Sequence, residues 1–340
     1  MDSLTQAVLG AAVGEAVLGK KVGNKAAAWG AVVGSLQDLD VLLSPLMNDV
    51  GEFIFHRSIT HSFFFVILLT PVLGKMIARF YRDGPATWRH WSWFAFAVLF
   101  THPILDCFTT YGTQIFQPFS NYPVSFSTIF IIDPLYTLPL IGGLFLALRN
   151  PPESPKRRLA NHLGLFLSCF YLLVTVVNKN IATTTFAEAL EQRGLAYERI
   201  ATRPTPLNTL LWYAQANDGD GYWIGLYSLL DGNRPIEFKR LDNNAHLLDG
   251  LTDHADVERL LWFARGFYTV QRKDSVIVFN DIRFGRSDGW LRDDGAYVFS
   301  FHIQRDPADT TRVTAIEKIP FTESLDRTTW RPLLARIGGR

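Results

Sequence analysis

Three histidines and several carboxylates in the first third of the chain have the types and spacings of metal ligands. They are Asp38 and Asp40 (QDLD), His56 and His61 (HRSITHS), and His102 and Asp106 (THPILD). Imidazole and carboxylate together suit Zn²⁺, Mn²⁺ or Fe²⁺, and a carboxylate-rich set also takes Mg²⁺. His102 and Asp106 are four residues apart, so a helix puts them on one face. His56 and His61, five apart, stand roughly 140° apart on a helix. They reach one centre only if the segment bends or a helix begins between them. Asp38 and Asp40 alternate, which favours a broken or extended segment.

Asp40, His56, His61, His102 and Asp106 are therefore the expected ligands, with Asp38 as base or bridging ligand. Arg57 is placed to neutralise a phosphate or carboxylate oxygen. Six candidates exceed one tetrahedral zinc, so the expectation is one or two divalent ions, zinc foremost with manganese or magnesium as alternatives, or some residues that only orient others. Thr60, Ser62 and Thr101 flank the set as hydrogen-bonding partners. Asp133, before Pro134, reads as a helix cap. Glu15 is either a site residue or the partner of a nearby lysine.

The elements that must carry these residues are apolar. Of the chain's charged side chains, 23 lie in residues 1–180 and 42 in residues 181–340. A membrane-crossing helix needs about 20 mainly apolar residues. Ser62–Phe80, Trp91–Phe108, Ile129–Leu148 and Leu159–Val177 meet or approach that length. Two shorter stretches, Leu4–Leu18 and Ala26–Leu36, are rich in Ala and Gly, which suits close helix packing in lipid. The fold class expected is thus a membrane α-helical bundle, four clear helices plus two short N-terminal ones, over 1–180. A soluble α+β domain follows over 181–340. The start, Met1-Asp2, lacks the basic region of a signal peptide.

Basic residues cluster at Lys20, Lys21 and Lys25, at Lys75, Arg79, Arg82 and Arg89, and at Arg149, Lys156, Arg157 and Arg158. If all six stretches cross, these clusters share one face, which the positive-inside rule makes cytoplasmic. The His/Asp set then lies at the outer face, and the C-terminal domain is extracytoplasmic. His90 and His162 open helices at the opposite face and read as interfacial.

In the second half, Ala255–Ala264 has helical periodicity, whereas Ser275–Phe284 and Ala296–Ile303 read as strands. Asn217–Gly221 and Asp231–Asn233 are turn signals. Arg203-Pro204-Thr205-Pro206 reads as an entry linker. Cys107 and Cys169, both in apolar runs, are expected as buried hydrophobes. A net charge of +1 gives no reason to expect a nucleic-acid partner.

Met1-Asp2-Ser3-Leu4-Thr5 before a small-residue helix, then Asp38-Leu39-Asp40, His56-Arg57-Ser58-Ile59-Thr60-His61-Ser62 and His102-x-x-x-Asp106, resembles the YdjM family over roughly residues 1–180. These are bacterial inner-membrane proteins described as metal-dependent hydrolases and as LexA-binding or LexA-regulated. The family commonly has His after the N-terminal Thr, where this chain has Gln6, and Pro before Asp-x-Asp, where it has Gln37. The resemblance implies a multi-pass inner-membrane hydrolase. Direct LexA binding is not expected, because the soluble domain falls outside the membrane and the cytoplasmic loops are short and basic.

The leading expectation is metal-assisted hydrolysis at the outer membrane–water interface, on a lipid-linked, amphipathic or phosphoester substrate. The alternative is a non-enzymatic metal-binding or transport protein, or a membrane-anchored sensor or assembly platform.

Overall fold

Asp2 starts the first helix by accepting a hydrogen bond from the Thr5 amide at 3.0 Å, and α1 runs over Ser3–Val22. α2 (Lys25–Ser35) returns against it. Glycine makes the approach possible: a Cβ on Gly10 would lie 2.3 Å from the Gly30 oxygen, inside contact distance. After Leu36 the chain tightens into a 3-10 segment, Gln37–Leu46. There follow α3 (Asp49–Phe55), α4 (Phe63–Phe80), α5 (Trp88–Cys107), α6 (Pro134–Leu148) and α7 (Pro155–Gln192).

The computed structural model describes residues 1–274, 276–291, 295–309, 311–322 and 327–340. They fall into two units, Met1–Pro45 with Phe55–Thr175, and Leu46–Ile54 with Val176–Arg340.

Lys25–Leu46, Phe63–Phe80 and Pro155–Gln192 are long and apolar enough to cross a membrane; α6 is apolar but shorter, at 15 residues. Their outer faces are greasy: Ile67 and Val72 on α4 and Phe166 on α7 are each about 60% exposed. One face of α5 fills the interior, where Trp91, Phe94, Val98 and Leu99 pack with Leu18, Val33 and Leu73, while Trp93 is exposed.

Some expectations are corrected here. Residues 129–133 are not helical, because Asp133 caps α6 by accepting from the Leu135 amide at 3.0 Å. Cys107 is buried, but Cys169 faces outward on α7. Glu15 pairs not with a lysine but with Arg157, through two bonds of 2.6 and 2.7 Å.

The second unit contains two antiparallel four-stranded sheets, ordered β1-β2-β3-β4 and β5-β6-β7-β8. The first comprises Arg199–Pro204, Leu211–Asn217, Gly221–Ser228 and Phe238–Asp242. The second comprises Tyr268–Lys273, Val276–Arg286, Tyr297–Arg305 and Val313–Ile319. α8 (Ala255–Ala264) coincides with the expected helix, and α9 spans Arg327–Ile337. Ser275, the expected start of a strand, lies outside the described residues.

Asn217–Gly221 turns β2 into β3 as expected. Arg203 and Pro204 form no linker: they end β1 opposite Tyr213 and Trp212. Arg203 is buried and donates to the Gln215 side chain, which fixes it in the sheet.

Leu46–Ile54 belongs to this unit. Phe53 is buried against Phe263 and Phe299, with ring centroids 4.2 and 4.7 Å away, and Asp49 accepts from the Lys318 amide at 2.6 Å.

Candidate metal centre

His102 and Asp106 stand on successive turns of α5, with Nε2 and Oδ2 3.4 Å apart. His61 reaches them because α3 ends at Phe55, Arg57 adopts φ +63°, and a 3-10 turn over Ile59–His61 precedes α4. A positive φ is costly for a residue with a side chain, so the bend is imposed by its surroundings. The Arg57 amide donates to Asp40 Oδ2 at 3.2 Å, and its carbonyl accepts from the Gln114 amide at 3.0 Å. Asp38 arrives on the first turn of the 3-10 segment after α2.

Asp38, His61, His102 and Asp106 each offer a donor atom within 4.8 Å of all the others. His61 Nε2 lies 3.5 Å from both Asp38 Oδ1 and Asp106 Oδ2, and His102 Nε2 lies 3.4 Å from the same two oxygens. Donors about 2.0–2.1 Å from a tetrahedral zinc lie roughly 3.3–3.4 Å apart, a spacing that these four His–Asp distances approach. Three of the four atoms, His61 Nε2, His102 Nε2 and Asp106 Oδ2, are buried with no hydrogen-bond partner among the described residues. Unpaired buried polar atoms are costly, and a divalent cation would satisfy all three at once.

The imidazoles are oriented from behind. His102 Nδ1–H donates to the Gly34 carbonyl at 2.7 Å. His61 Nδ1–H donates to Thr60 Oγ1 at 3.0 Å, and that hydroxyl donates to Asp40 Oδ2 at 3.0 Å. Both Nε2 lone pairs are thereby left for a ligand. Burial pushes the His61 imidazole down to about 4.

Asp40 and His56 do not enter the four-residue cluster. Asp40 forms a layer behind it, and His56 Nδ1 is 2.9 Å from Asp40 Oδ1 with its side chain 26% exposed. Arg57 is buried; Nη1 donates to Thr109 Oγ1 at 2.8 Å, and Nη2 lies 3.4 Å from Asp106 Oδ1. Asp106 Oδ1 also takes Gln6 Nε2 at 3.0 Å and the Met1 amine. Asp38 is the cluster's open member, its side chain 14% exposed.

Thr101 bonds back to the carbonyls of Ala97 and Val98, and Ser62 caps α4. Asp133 lies elsewhere, bonded to Tyr171. Sequence reasoning missed Thr109, Tyr111 and Gly34. Tyr111 sits under Arg57, 5.2 Å from ring centroid to guanidinium, with no motif to announce it.

Fold and site together define a membrane protein whose helical unit gathers a mixed imidazole–carboxylate centre. The model of the YdjM inner membrane protein family matches residues 1–182, and the chain belongs to that family. It is also similar to an uncharacterized protein of Bacillus subtilis (strain 168), YfhP, at 33% identity over 152 residues. That similarity covers 42% of this chain and 45% of YfhP. No solved structure matches.

Proposed function

We propose that the protein is a membrane-bound metal-dependent hydrolase acting at the outer membrane–water interface on an amphipathic or lipid-linked phosphoester. The observation that carries the reading is the convergence of unpaired, buried His61 Nε2, His102 Nε2 and Asp106 Oδ2 beside Asp38. A divalent ion held there, zinc foremost with manganese or magnesium as alternatives, supplies Lewis acidity and eases ionisation of water near neutral pH.

The chain's own residues supply the rest. His61, His102, Asp106 and Asp38 hold the ion; the second Asp38 oxygen is available as a base. His56, backed by Asp40 and partly exposed, accepts and passes a proton. Arg57 neutralises charge developing on a substrate oxygen. Exposed apolar side chains close to these segments in the chain, Leu42 at 69% and Phe119 at 84%, suit a substrate with an apolar tail.

In this reading the basic clusters face the cytoplasm, and the chain is a multi-pass protein of a bacterial inner membrane. The site and residues 181–340 are then extracytoplasmic, out of reach of LexA or nucleic acid. A closed four-ligand set would describe a purely structural ion; the opening at Asp38 and the His56–Asp40 pair favour a reactive one.

The test is elemental analysis and phosphoester turnover of full-length, detergent-purified protein beside His61→Ala. Wild type should carry a divalent ion and hydrolyse a lipid phosphoester, and the variant should lose both. Equal metal in the two proteins would overturn the site. Metal without turnover on any phosphoester would overturn the hydrolase.

A further inference from the structure

At the end of the helical unit remote from the metal cluster, three turns enclose a cavity of about 500 Å³. The α1–α2 turn contributes Lys20, Lys21 and Lys25, the α4–α5 turn Tyr81, and the α6–α7 turn Pro152, with Trp91 of α5 also in the lining. Three of the lining residues are lysines against one acid, Glu153.

The turns are held in place from beneath. Arg157 binds Glu15 twice, and its Nη1 donates to Asn24 Oδ1 at 2.9 Å and to the Asn150 carbonyl at 3.1 Å. The α1–α2 turn and the start of the α6–α7 turn are thus fixed to one guanidinium. The aromatic lining is ordered too: Tyr81 and Trp91 stack with centroids 5.8 Å apart, and Lys25 Nζ lies 4.6 Å from the Tyr81 centroid.

Trp91 is fully buried and forms the floor beneath the lysines rather than a surface that meets a ligand. Exposed lysines around an ordered, pinned rim call for an anionic ligand rich in acceptor oxygens.

We infer that this cavity binds a phosphate group, presented as an anionic lipid headgroup or as a free phosphate compound. Lysines bind phosphate as compact point charges, and each contributes attraction to an anionic headgroup at the membrane surface. The site is independent of the metal centre and of any hydrolysis there.

The experiment uses full-length protein in phosphatidylcholine nanodiscs with and without phosphatidylglycerol, and in detergent with inorganic phosphate. Protein-bound lipid is read by native mass spectrometry and phosphate by calorimetry. Each lysine removed in Lys20→Gln, Lys21→Gln and Lys25→Gln should weaken binding by roughly fivefold. The lysines are exposed, so the triple variant keeps the fold, which undiminished metal content at the other end reports. Retention of phosphatidylglycerol alone identifies a headgroup site; binding of phosphate with displacement of the lipid identifies a free-phosphate site. Affinities for both probes that are equal in wild type and triple variant would overturn the inference.

Discussion

The carbonyl of Gly34 accepts the Nδ1–H of His102 at 2.7 Å, so a residue chosen for helix packing also orients a ligand of the metal centre. Gly34 sits where a Cβ would come within 3.0 Å of the Gln6 oxygen and of the Gly10 Cα. Close approach of α1 and α2 and the direction of the imidazole are one geometric condition. Gly10→Ala, whose Cβ would lie 2.3 Å from the Gly30 oxygen, must push the helices apart. It should cost about 1–3 kcal/mol of stability and lower metal affinity with it. Melting in detergent, with and without added zinc, measures both; an unchanged zinc-induced rise in Tm would separate packing from ligation.

Asp40→Asn tests the layer behind the cluster. It keeps a hydrogen-bonding side chain but removes the charge that Thr60, His56 and the Arg57 amide address. Metal affinity should fall roughly 10–100-fold in a folded protein, while His102→Ala should abolish stoichiometric binding. Competition with a chromogenic chelator distinguishes the two.

Gln6 reaches the same carboxylate oxygen region from α1, with Nε2 3.0 Å from Asp106 Oδ1 and Oε1 unpartnered among the described residues. Gln6→His places an imidazole where the amide now stands. It should strengthen metal retention during dialysis against chelator, and faster loss than wild type would show that the position serves Asp106 rather than the ion.

The Glu15–Arg157 pair is almost fully buried, with side-chain exposures of 4% and 1%. Glu15→Leu strands a guanidinium and should destabilise by about 3–5 kcal/mol. The double change with Arg157→Met should recover most of that loss. Thermal unfolding of the three proteins closes the cycle, and additive losses would count against the pair.

Much of the site was legible because ligand chemistry leaves spacing behind. His102 and Asp106 follow from helical geometry, and the bend required between His56 and His61 appears as the Arg57 kink followed by a 3-10 turn. Which carboxylate of Asp38-x-Asp40 faces the imidazoles was not legible, since that depends on how a 3-10 segment of ten residues is rotated. Hydropathy located the apolar helices but could not foresee that α5 would turn Trp91 and Phe94 inward and leave Trp93 exposed. Arg203-Pro204 was misread because punctuation by proline says loop, whereas a β1 edge position tolerates it. Leu46–Ile54 carried no periodicity to advertise its role, which depends on rings more than 200 positions away.

That short segment interrupts the helical portion between Asp40 and His56, and it folds with sheets that begin about 150 residues later. A chain cut after residue 182 would retain every ligand of the cluster and yet leave Phe53 facing water. The stretch shared with the family is therefore not a detachable cassette in this protein: one of its loops takes its shape from the sheets that follow.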